Sequence, residues 1–182
     1  MQHILKIHPD ARCDAVTHIE VNVVRHAGNL ALHYLVSGTI NDLRLPAVTA
    51  PSRTDELWKH TCLEAFVRAV PGSSYFEFNF SPSTEWAAYR FSDYRTGMTV
   101  AEGVAPQSEI RHNDKTFEMR TQLKLDGLFE LATNTSWRIG LSAVIEETSG
   151  QKSYWALTHP PGNADFHHSD CFAIELPAAS SP

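Results

Sequence analysis

Hydrophobic and polar residues alternate with a period of two along most of this chain. Between Thr17 and Arg25, the apolar residues Ile19, Val21 and Val23 fall on one face. A short turn at residues 27–29 separates this segment from LALHYLVSGTI, whose apolar positions also alternate. Two alternating segments joined by a short Gly/Asn turn are typical of a β-hairpin.

The alternation continues towards the end of the chain and predicts eight further strands. These are the segments CLEAFVRAV, YFEFNFS, EWAAYRFS, SEIRHN, TFEMRTQLKL, WRIGLSAVIEE, KSYWAL and CFAIEL. At most one short helix is predicted, near Leu125–Leu131. Strands therefore do not alternate with helices, which disfavours a doubly wound or barrel α/β fold. We predict an all-β fold, an antiparallel two-sheet β-sandwich of about ten strands.

The length and charge of the chain narrow the classes of function. A chain of 182 residues is typical of one domain, so we expect a single domain over residues 1–182, with residues 177–182 as a flexible tail. Hydrophobic residues make up 42% and charged residues 20% of the chain, as in folded globular domains. The net charge is -6 and no basic block is present, which argues against nucleic acid as a partner.

The cysteines and the apolar segments indicate the cellular compartment in which the protein is expected. Cys13, Cys62 and Cys171 are far apart and form no CxxC pair, so we expect three free thiols in a reducing compartment. The N-terminus lacks the pattern of a secretory signal. No run of apolar residues in the sequence is long enough to span a membrane as a helix. We therefore expect a cytoplasmic protein with no membrane partner. The edge strands of a sandwich could also pair two copies into a homodimer.

Three central strands place a mixed set of polar side chains on one sheet face. Phe76, Phe78 and Phe80 alternate along YFEFNFS and are predicted to lie in the core. The predicted core face of the next strand carries Ala87, Tyr89 and Phe91. The opposite face then carries Glu64, Arg68, Glu77, Asn79, Trp86 and Arg90. Such a face is either solvated and held by ion pairs or a concave site for a neutral, polyhydroxylated ligand, because carboxylates, amides and guanidinium groups bond to hydroxyls and an aromatic ring packs on a pyranose.

Three longer segments of the chain carry the residues on which a family resemblance depends. They read DELWKHTCLEAFVR, YFEFNFSPSTEWAAYRF and YWALTHPPGNADFHHSDCFAIEL. Together they resemble DOMON-like domains, and most closely a bacterial set related to family 9 carbohydrate-binding modules, from about the first hairpin to Leu176. The resemblance implies a β-sandwich that binds either sugars or haem. It also implies two aromatic walls, at Trp58 and Trp155, and polar contacts from Glu64 and Asn79.

Residues 158–171 read THPPGNADFHHSDC and are rich in possible metal ligands. Imidazole, carboxylate and thiolate all bind transition metals, although the spacing matches no closed metal site. The alternative metal ligands are His159, His167, His168 and Cys171. A structured loop explains the same residues, since histidines bond to carbonyl groups and aspartates cap turns. We assign no metal to the chain.

Two other functions stay open at this point. A haem would need an apolar slot and axial ligands, which Met98 and either His159 or His167 could supply. It would be of the b type, because no CxxCH motif is present. An enzyme acting on a sugar-like substrate could use Glu64 and Glu77 as paired acid and base, with His159 as a proton carrier.

We therefore predict a ligand-binding domain without catalytic residues or a cofactor, which takes a saccharide or a similar small polar ligand. The site would lie on the concave sheet face or at its rim, with His159, Asp165 and His167 closing one edge. The predicted site residues are Trp58, Glu64, Glu77, Asn79, Arg90, Trp155, His159, Asp165 and His167. The alternative is a redox module that holds b-type haem or a divalent metal.

Overall fold

A computed structural model describes residues 1–179, which form twelve β-strands and four 3-10 helices of three residues each. The strands are β1 (Gln2–Ile7), β2 (Val16–His26), β3 (Asn29–Gly38), β4 (Cys62–Val70), β5 (Tyr75–Phe80), β6 (Trp86–Phe91), β7 (Thr99–Val100), β8 (Gln107–His112), β9 (Thr116–Lys124), β10 (Ser136–Glu146), β11 (Lys152–Ala156) and β12 (Ile174–Leu176). The 3-10 helices are Ile40–Asp42, Leu57–Lys59, Phe129–Leu131 and Ser169–Cys171. Of the predicted tail, residues 180–182 lie outside the described residues.

The strands form one antiparallel sheet that curls into a half-barrel. Its order is β7-β6-β5-β4-β10-β11-β1-β2-β3-β9-β8, and β12 pairs with β10. The predicted division into two separate sheets is not confirmed, because β1 connects both halves. Lys6 of β1 pairs with Ala156 of β11, and Leu5 pairs with Ile19 of β2.

The all-β prediction is confirmed, and all ten predicted strands are present. Sequence analysis missed β1 and β7, because only Leu5 is buried in β1 and both residues of β7 are exposed. The short helix predicted near Leu125–Leu131 is instead a turn followed by the 3-10 helix Phe129–Leu131. No helix within residues 1–179 is long and apolar enough to cross a membrane.

The main core lies on the inner face of the curled sheet. It contains Phe76, Phe78 and Phe80, as their alternation predicts, together with Tyr34 and Trp137 from other strands. Both halves of the sheet contribute to this one cluster, so burial of apolar surface holds the curl closed.

The predicted faces of β6 are wrong. Phe78 pairs with Ala88, which joins the main core, and Glu77 pairs with Tyr89, which lies on the outer face. Both faces of β6 are apolar enough to be buried, so the alternation of WAAYRF does not distinguish them. A slip of one residue in the alternation reverses every side chain of a strand.

The outer face of β4, β5 and β6 is also covered. Parts of three loops lie over it, from residues 44–60, residues 92–98 and residues 157–173. A second apolar cluster forms beneath them from Leu57, Cys62, Phe66, Tyr75, Ala87, Tyr89, Phe91 and Phe172. Gly140 of β10 permits the close approach of the third loop, because a Cβ atom there would lie 3.0 Å from the Cys171 carbonyl oxygen. These strands are therefore buried on both faces.

We predict that Phe78→Ala lowers the free energy of unfolding by about 3–5 kcal/mol, because it leaves a cavity in the core between the sheet halves. The matched control is Phe129→Ala, since the Phe129 side chain is 86% exposed. That variant should stay within about 0.5 kcal/mol of the parent protein. Urea unfolding measures both, and equal effects of the two variants would contradict this account of the core.

Candidate functional site

A cleft of about 670 Å³ opens on the outer face of the sheet, above strands β6, β5, β4, β10 and β11. It is lined by Trp58, Lys59, Glu64, Phe66, Glu77, Tyr89, Phe91, Arg95, Met98, Val144, Lys152, Tyr154, Ala164, Phe166 and His167. Its floor is formed by strand residues and its rim by the three loops. The sheet therefore fixes the polar groups of the floor, while the loops supply most of the walls.

The floor carries two glutamates on neighbouring strands. Glu64 of β4 pairs across the ladder with Asn79 of β5, and Phe66 pairs with Glu77. Because side chains alternate along a strand, Glu64, Glu77 and Asn79 all point away from the core. The chain thus buries two carboxyl groups between a sheet and a layer of loops.

The Glu64 carboxyl group is held at the bottom of the cleft. Its side chain is almost completely buried, and its Oε2 atom accepts a hydrogen bond of 2.9 Å from the Ser142 hydroxyl. Burial, and secondly the charge of Glu77, raises the pKa of Glu64 to about 8. Ordinary glutamate is ionised at neutral pH, so Glu64 instead retains a proton there and is able to donate it in a hydrogen bond.

Glu77 lies beside it under similar conditions. Its Oε1 atom accepts a 2.7 Å hydrogen bond from the Asn79 side-chain amide, which is itself fully buried. Burial raises the pKa of Glu77 to about 7, although Asn79 and Arg95 oppose the shift. The floor therefore combines hydrogen-bond donors and acceptors at neutral pH.

His167 projects from the third loop onto this floor. Its Nδ1 atom lies 2.8 Å from the Tyr75 hydroxyl, which also accepts a hydrogen bond from the Arg95 backbone N–H. The hydrogen bond between the Tyr75 hydroxyl and Nδ1 fixes the orientation of the imidazole ring. Nε2 lies 3.7 Å from the Glu77 carboxylate. Burial, and then the charge of Arg95, lowers the pKa of His167 to about 4, so the imidazole is neutral.

Asp165 connects two of the covering loops. Its carboxylate accepts hydrogen bonds from Tyr94 at 2.5 Å and from the Arg95 guanidinium at 2.7 Å. It also accepts a bond from the backbone N–H of His167. Asp165 therefore holds His167 in place and attaches residues 92–98 to the third loop, rather than lining the cleft itself.

Trp58 forms one aromatic wall. It lies in the 3-10 helix Leu57–Lys59, which follows Glu56 in a left-handed conformation with φ of 64°. The Trp58 ring packs edge-to-face on Tyr89, with the ring centroids 5.9 Å apart. Tyr89 is fixed in turn by its 2.6 Å hydrogen bond to Asp55. Trp58 remains 37% exposed, so much of its ring is available to a ligand.

The aromatic groups of the other wall are Tyr154 and Phe166. Their ring centroids lie 6.3 Å apart, and Tyr154 is 36% exposed. Tyr154 belongs to β11, which lies four strands from the β6 residue Tyr89 in the sheet order. The Lys152 ammonium of the same strand donates to the carbonyl oxygen of Lys59, next to Trp58. The cleft is thus a polar floor flanked by aromatic side chains from both walls.

Four of the predicted site residues line the cleft together: Trp58, Glu64, Glu77 and His167. Asn79 lies beneath them and orients Glu77. Asp165 connects the loops of the rim.

The structure does not bring Arg90, Trp155 and His159 to the cleft. Arg90 lies on the inner face of β6, because the alternation of this strand is one residue out of phase with the prediction. Its guanidinium donates hydrogen bonds of 2.6 and 2.7 Å to the Glu130 carboxylate. Trp155 is packed in the main core, and its neighbour Tyr154 takes the wall position. His159 bonds instead to the Lys6 carbonyl oxygen.

The alternative metal ligands point to separate partners. His168 Nδ1 accepts from the backbone N–H of Asp170, and the Cys171 thiol donates to the carbonyl oxygens of Thr158 and Asp165. His159 and His167 make the contacts described above. Within residues 1–179 no three histidine, cysteine, aspartate or glutamate side chains are grouped to hold a metal ion.

Sequence reasoning missed Tyr89, Arg95, Tyr154 and Phe166 as residues of the cleft. Tyr154 could have been found from alternation, since Trp155 and Tyr154 must point to opposite faces of β11. Arg95 and Phe166 belong to loops, where no periodic pattern shows which side chains turn towards the sheet.

No protein-family model matches this chain, and no curated protein matches it significantly. Solved structures do match it in fold. A protein from Bacteroides uniformis, provisionally described as carbohydrate-binding, has a TM-score of 0.70 and 12% sequence identity, over 94% of this chain and 83% of that chain. A family 9 carbohydrate-binding module from Caldicellulosiruptor kristjanssonii, in complex with cellotriose, has a TM-score of 0.54 and 12% identity over 90% of this chain and 75% of its own. A glucose complex of a family 9 module from the same organism has a TM-score of 0.53 and 12% sequence identity, over 90% of this chain and 76% of its own.

The raised pKa of Glu64 predicts how stability depends on pH. Between its ordinary pKa of 4.5 and its folded pKa of about 8, the folded protein holds a proton that the unfolded chain has released. The free energy of unfolding therefore falls as pH rises through this window. Glu64→Gln removes this contribution, so the variant should lose less stability than the parent between pH 5 and pH 8.

Urea unfolding at several pH values measures the difference, and the effect should reach a few kcal/mol. Glu109→Gln is the matched control, because Glu109 is exposed on β8. The free energy of unfolding, plotted against pH, must fall more steeply for the parent protein than for the Glu64→Gln variant. Parallel curves would mean that Glu64 ionises normally in the folded protein.

Proposed function

We propose that this protein binds a saccharide in the cleft. One observation supports the proposal above the others: buried carboxyl and amide groups form the floor, while partly exposed aromatic rings form the walls. Ser142 and Asn79 each bond to one oxygen of a floor carboxyl group. An apolar ligand would leave the second oxygen of each group without a partner, at a cost for each buried polar atom. A phosphate would bring negative charge to a floor of carboxyl groups. Neutral hydroxyl groups match it, since each one both donates and accepts.

The protonation of the floor suits such a ligand. Near neutral pH, Glu64 retains its proton while Glu77 is partly ionised. Together with the His167 imidazole, whose Nε2 atom lies 3.7 Å from Glu77, they offer both donors and acceptors on one floor. A sugar hydroxyl can satisfy a donor and an acceptor at once, so adjacent hydroxyls of one ring fit this floor.

The aromatic walls supply the apolar contact. The C–H face of a pyranose packs on an aromatic ring, and Trp58 and Tyr154 present the exposed rings. The solved structures support the same class of ligand, since the fold is shared with modules that hold cellotriose and glucose. At 12% identity that similarity concerns the fold, and the ligand of this chain rests on the side chains of its own cleft.

Haem fits these residues less well. A porphyrin requires apolar walls on both faces, whereas two buried carboxyl groups form the floor here. Met98 and His167 both line the cleft, as the haem alternative expects. However, the Nε2 atom of His167, through which an axial ligand would bind iron, faces the carboxyl group of Glu77 at 3.7 Å. The saccharide therefore remains the better match.

A melting screen tests the proposal. The panel contains glucose, cellobiose, cellotriose, amino sugars, haemin, zinc and a control without ligand. A ligand that binds only the folded state raises its stability by about 2.7 kcal/mol at one hundred times its dissociation constant. We expect a rise in Tm with at least one sugar. A rise with haemin or zinc alone would overturn the saccharide assignment.

Two variants test where the sugar binds. Trp58→Ala and Tyr154→Ala should each weaken binding of the best sugar by about tenfold, corresponding to about 1.4 kcal/mol of lost contact. Phe129→Ala removes an exposed aromatic ring elsewhere and should bind normally. Isothermal titration calorimetry measures all three. Unchanged affinity in both wall variants would place the sugar outside this cleft.

A further inference from the structure

The two glutamates of the floor occupy diagonal positions on adjacent strands. Glu64 pairs with Asn79, and Glu77 lies two residues before Asn79 on the same strand. Diagonal neighbours of this kind lie roughly 7–8 Å apart at their backbones, and both side chains line the same cleft. In each carboxyl group one oxygen is held by a neutral donor, Ser142 or Asn79. The pair is thus fixed in orientation and directed at one ligand.

The groups around this pair do not hold either carboxylate permanently ionised. Burial raises the pKa of Tyr34, Cys62 and Tyr89, so all three are neutral at pH 7. His167 is neutral for the same reason, since burial lowers its pKa.

The cations of the rim are occupied by other groups. Arg95 is paired with Asp165, and Lys59 with Glu56. The Lys152 ammonium donates to the carbonyl oxygen of Lys59. Proton exchange between the two glutamates and a ligand is therefore not suppressed by a fixed positive charge bonded to either of them.

We propose that the cleft catalyses the interconversion of the two anomers of a reducing sugar, with Glu64 as general acid and Glu77 as general base. The inference depends on the proposed binding of a saccharide and adds a reaction to it. An acid and a base fixed on one floor are the groups that this reaction needs. It requires no cofactor, metal or second substrate.

The proposed step is balanced within the site. Glu77 takes the proton of the anomeric hydroxyl, a carbonyl group forms at that carbon, and the bond from the carbon to the ring oxygen breaks. The electron pair of that bond passes to the ring oxygen, which takes the proton of Glu64. After rotation about the adjacent carbon–carbon bond, the hydroxyl adds to the other face of the carbonyl. Reversed proton transfers restore both glutamates, and the Asn79 side-chain amide holds the Glu77 carboxyl group in orientation.

Anomer exchange fits the pair better than glycoside hydrolysis. Hydrolysis uses two carboxyl groups that flank the scissile bond, with one acting on the opposite face of the sugar ring, whereas Glu64 and Glu77 lie on the same floor. Ring opening of a hemiacetal instead moves one proton off the sugar and one proton onto it, and is favoured by groups that titrate close to the working pH. Both floor glutamates titrate there, at about 8 and about 7.

Polarimetry of freshly dissolved α-glucose tests the inference with the intact protein. Catalytic amounts of protein should speed the approach to the anomeric equilibrium well beyond the buffer rate. The dependence of kcat on pH should be bell-shaped with its maximum between about pH 7 and pH 8, because the pair must carry one proton. An acceleration without this profile would exclude the glutamate pair as its source.

Matched variants identify the groups. Glu64→Gln and Glu77→Gln should each lower kcat by about a hundredfold or more, the usual contribution of a general acid or base. Glucose binding, measured by calorimetry, should change much less. Glu109→Gln alters an exposed glutamate on β8 and should react normally. Should a variant fail to fold, the pH profile of the parent protein still shows whether the glutamate pair is the source of the acceleration.

The outcomes separate the two proposals. Glucose binding without faster anomer exchange would overturn this inference and leave the proposed saccharide binding intact. Neither binding nor acceleration, with glucose and with the other reducing sugars of the panel, would overturn both. Release of nitrophenol from nitrophenyl glycosides, without faster exchange of glucose, would show hydrolysis instead and also overturn it.

Discussion

The burial of β4 and β5 on both faces is the constraint on which the rest of the site depends. The inner face packs into the main core, and the outer face is covered by three loops. Without that cover, Glu64 and Glu77 would be solvated and would ionise like ordinary surface glutamates. With it, the cost of burying a charge raises the pKa of both. The chemistry of the cleft follows from the covering layer as much as from the carboxyl groups.

The covering layer is itself held by a small number of polar contacts. Asp165 accepts hydrogen bonds from Tyr94, Arg95 and the backbone of His167, and Tyr75 bonds to both Arg95 and His167. These contacts bring an imidazole from a loop onto a floor made by strands. A site on loops is thereby given the rigidity of a sheet, which recognition of adjacent hydroxyl groups requires.

Much of the fold could be predicted from the chain, because alternation of apolar residues is a strong signal for strands. The same signal placed Phe76, Phe78 and Phe80 in the core and Glu77 and Asn79 on the opposite face. It failed where both faces are apolar, as in β6, and so Arg90 was assigned to the cleft. It also could not show which loop residues turn inward. That Arg95 and Phe166 line the cleft could be seen only in the structure.

The most direct measurement is a ¹³C NMR titration of the glutamate side-chain carboxyl groups, assigned with the Glu64→Gln and Glu77→Gln variants. The central claim is that the covered cleft holds two carboxyl groups that titrate near neutrality. We predict two carboxyl resonances with midpoints near pH 7 and pH 8, both of which move when glucose is added. Midpoints near the ordinary glutamate value of 4.5, or resonances that ignore the sugar, would contradict it.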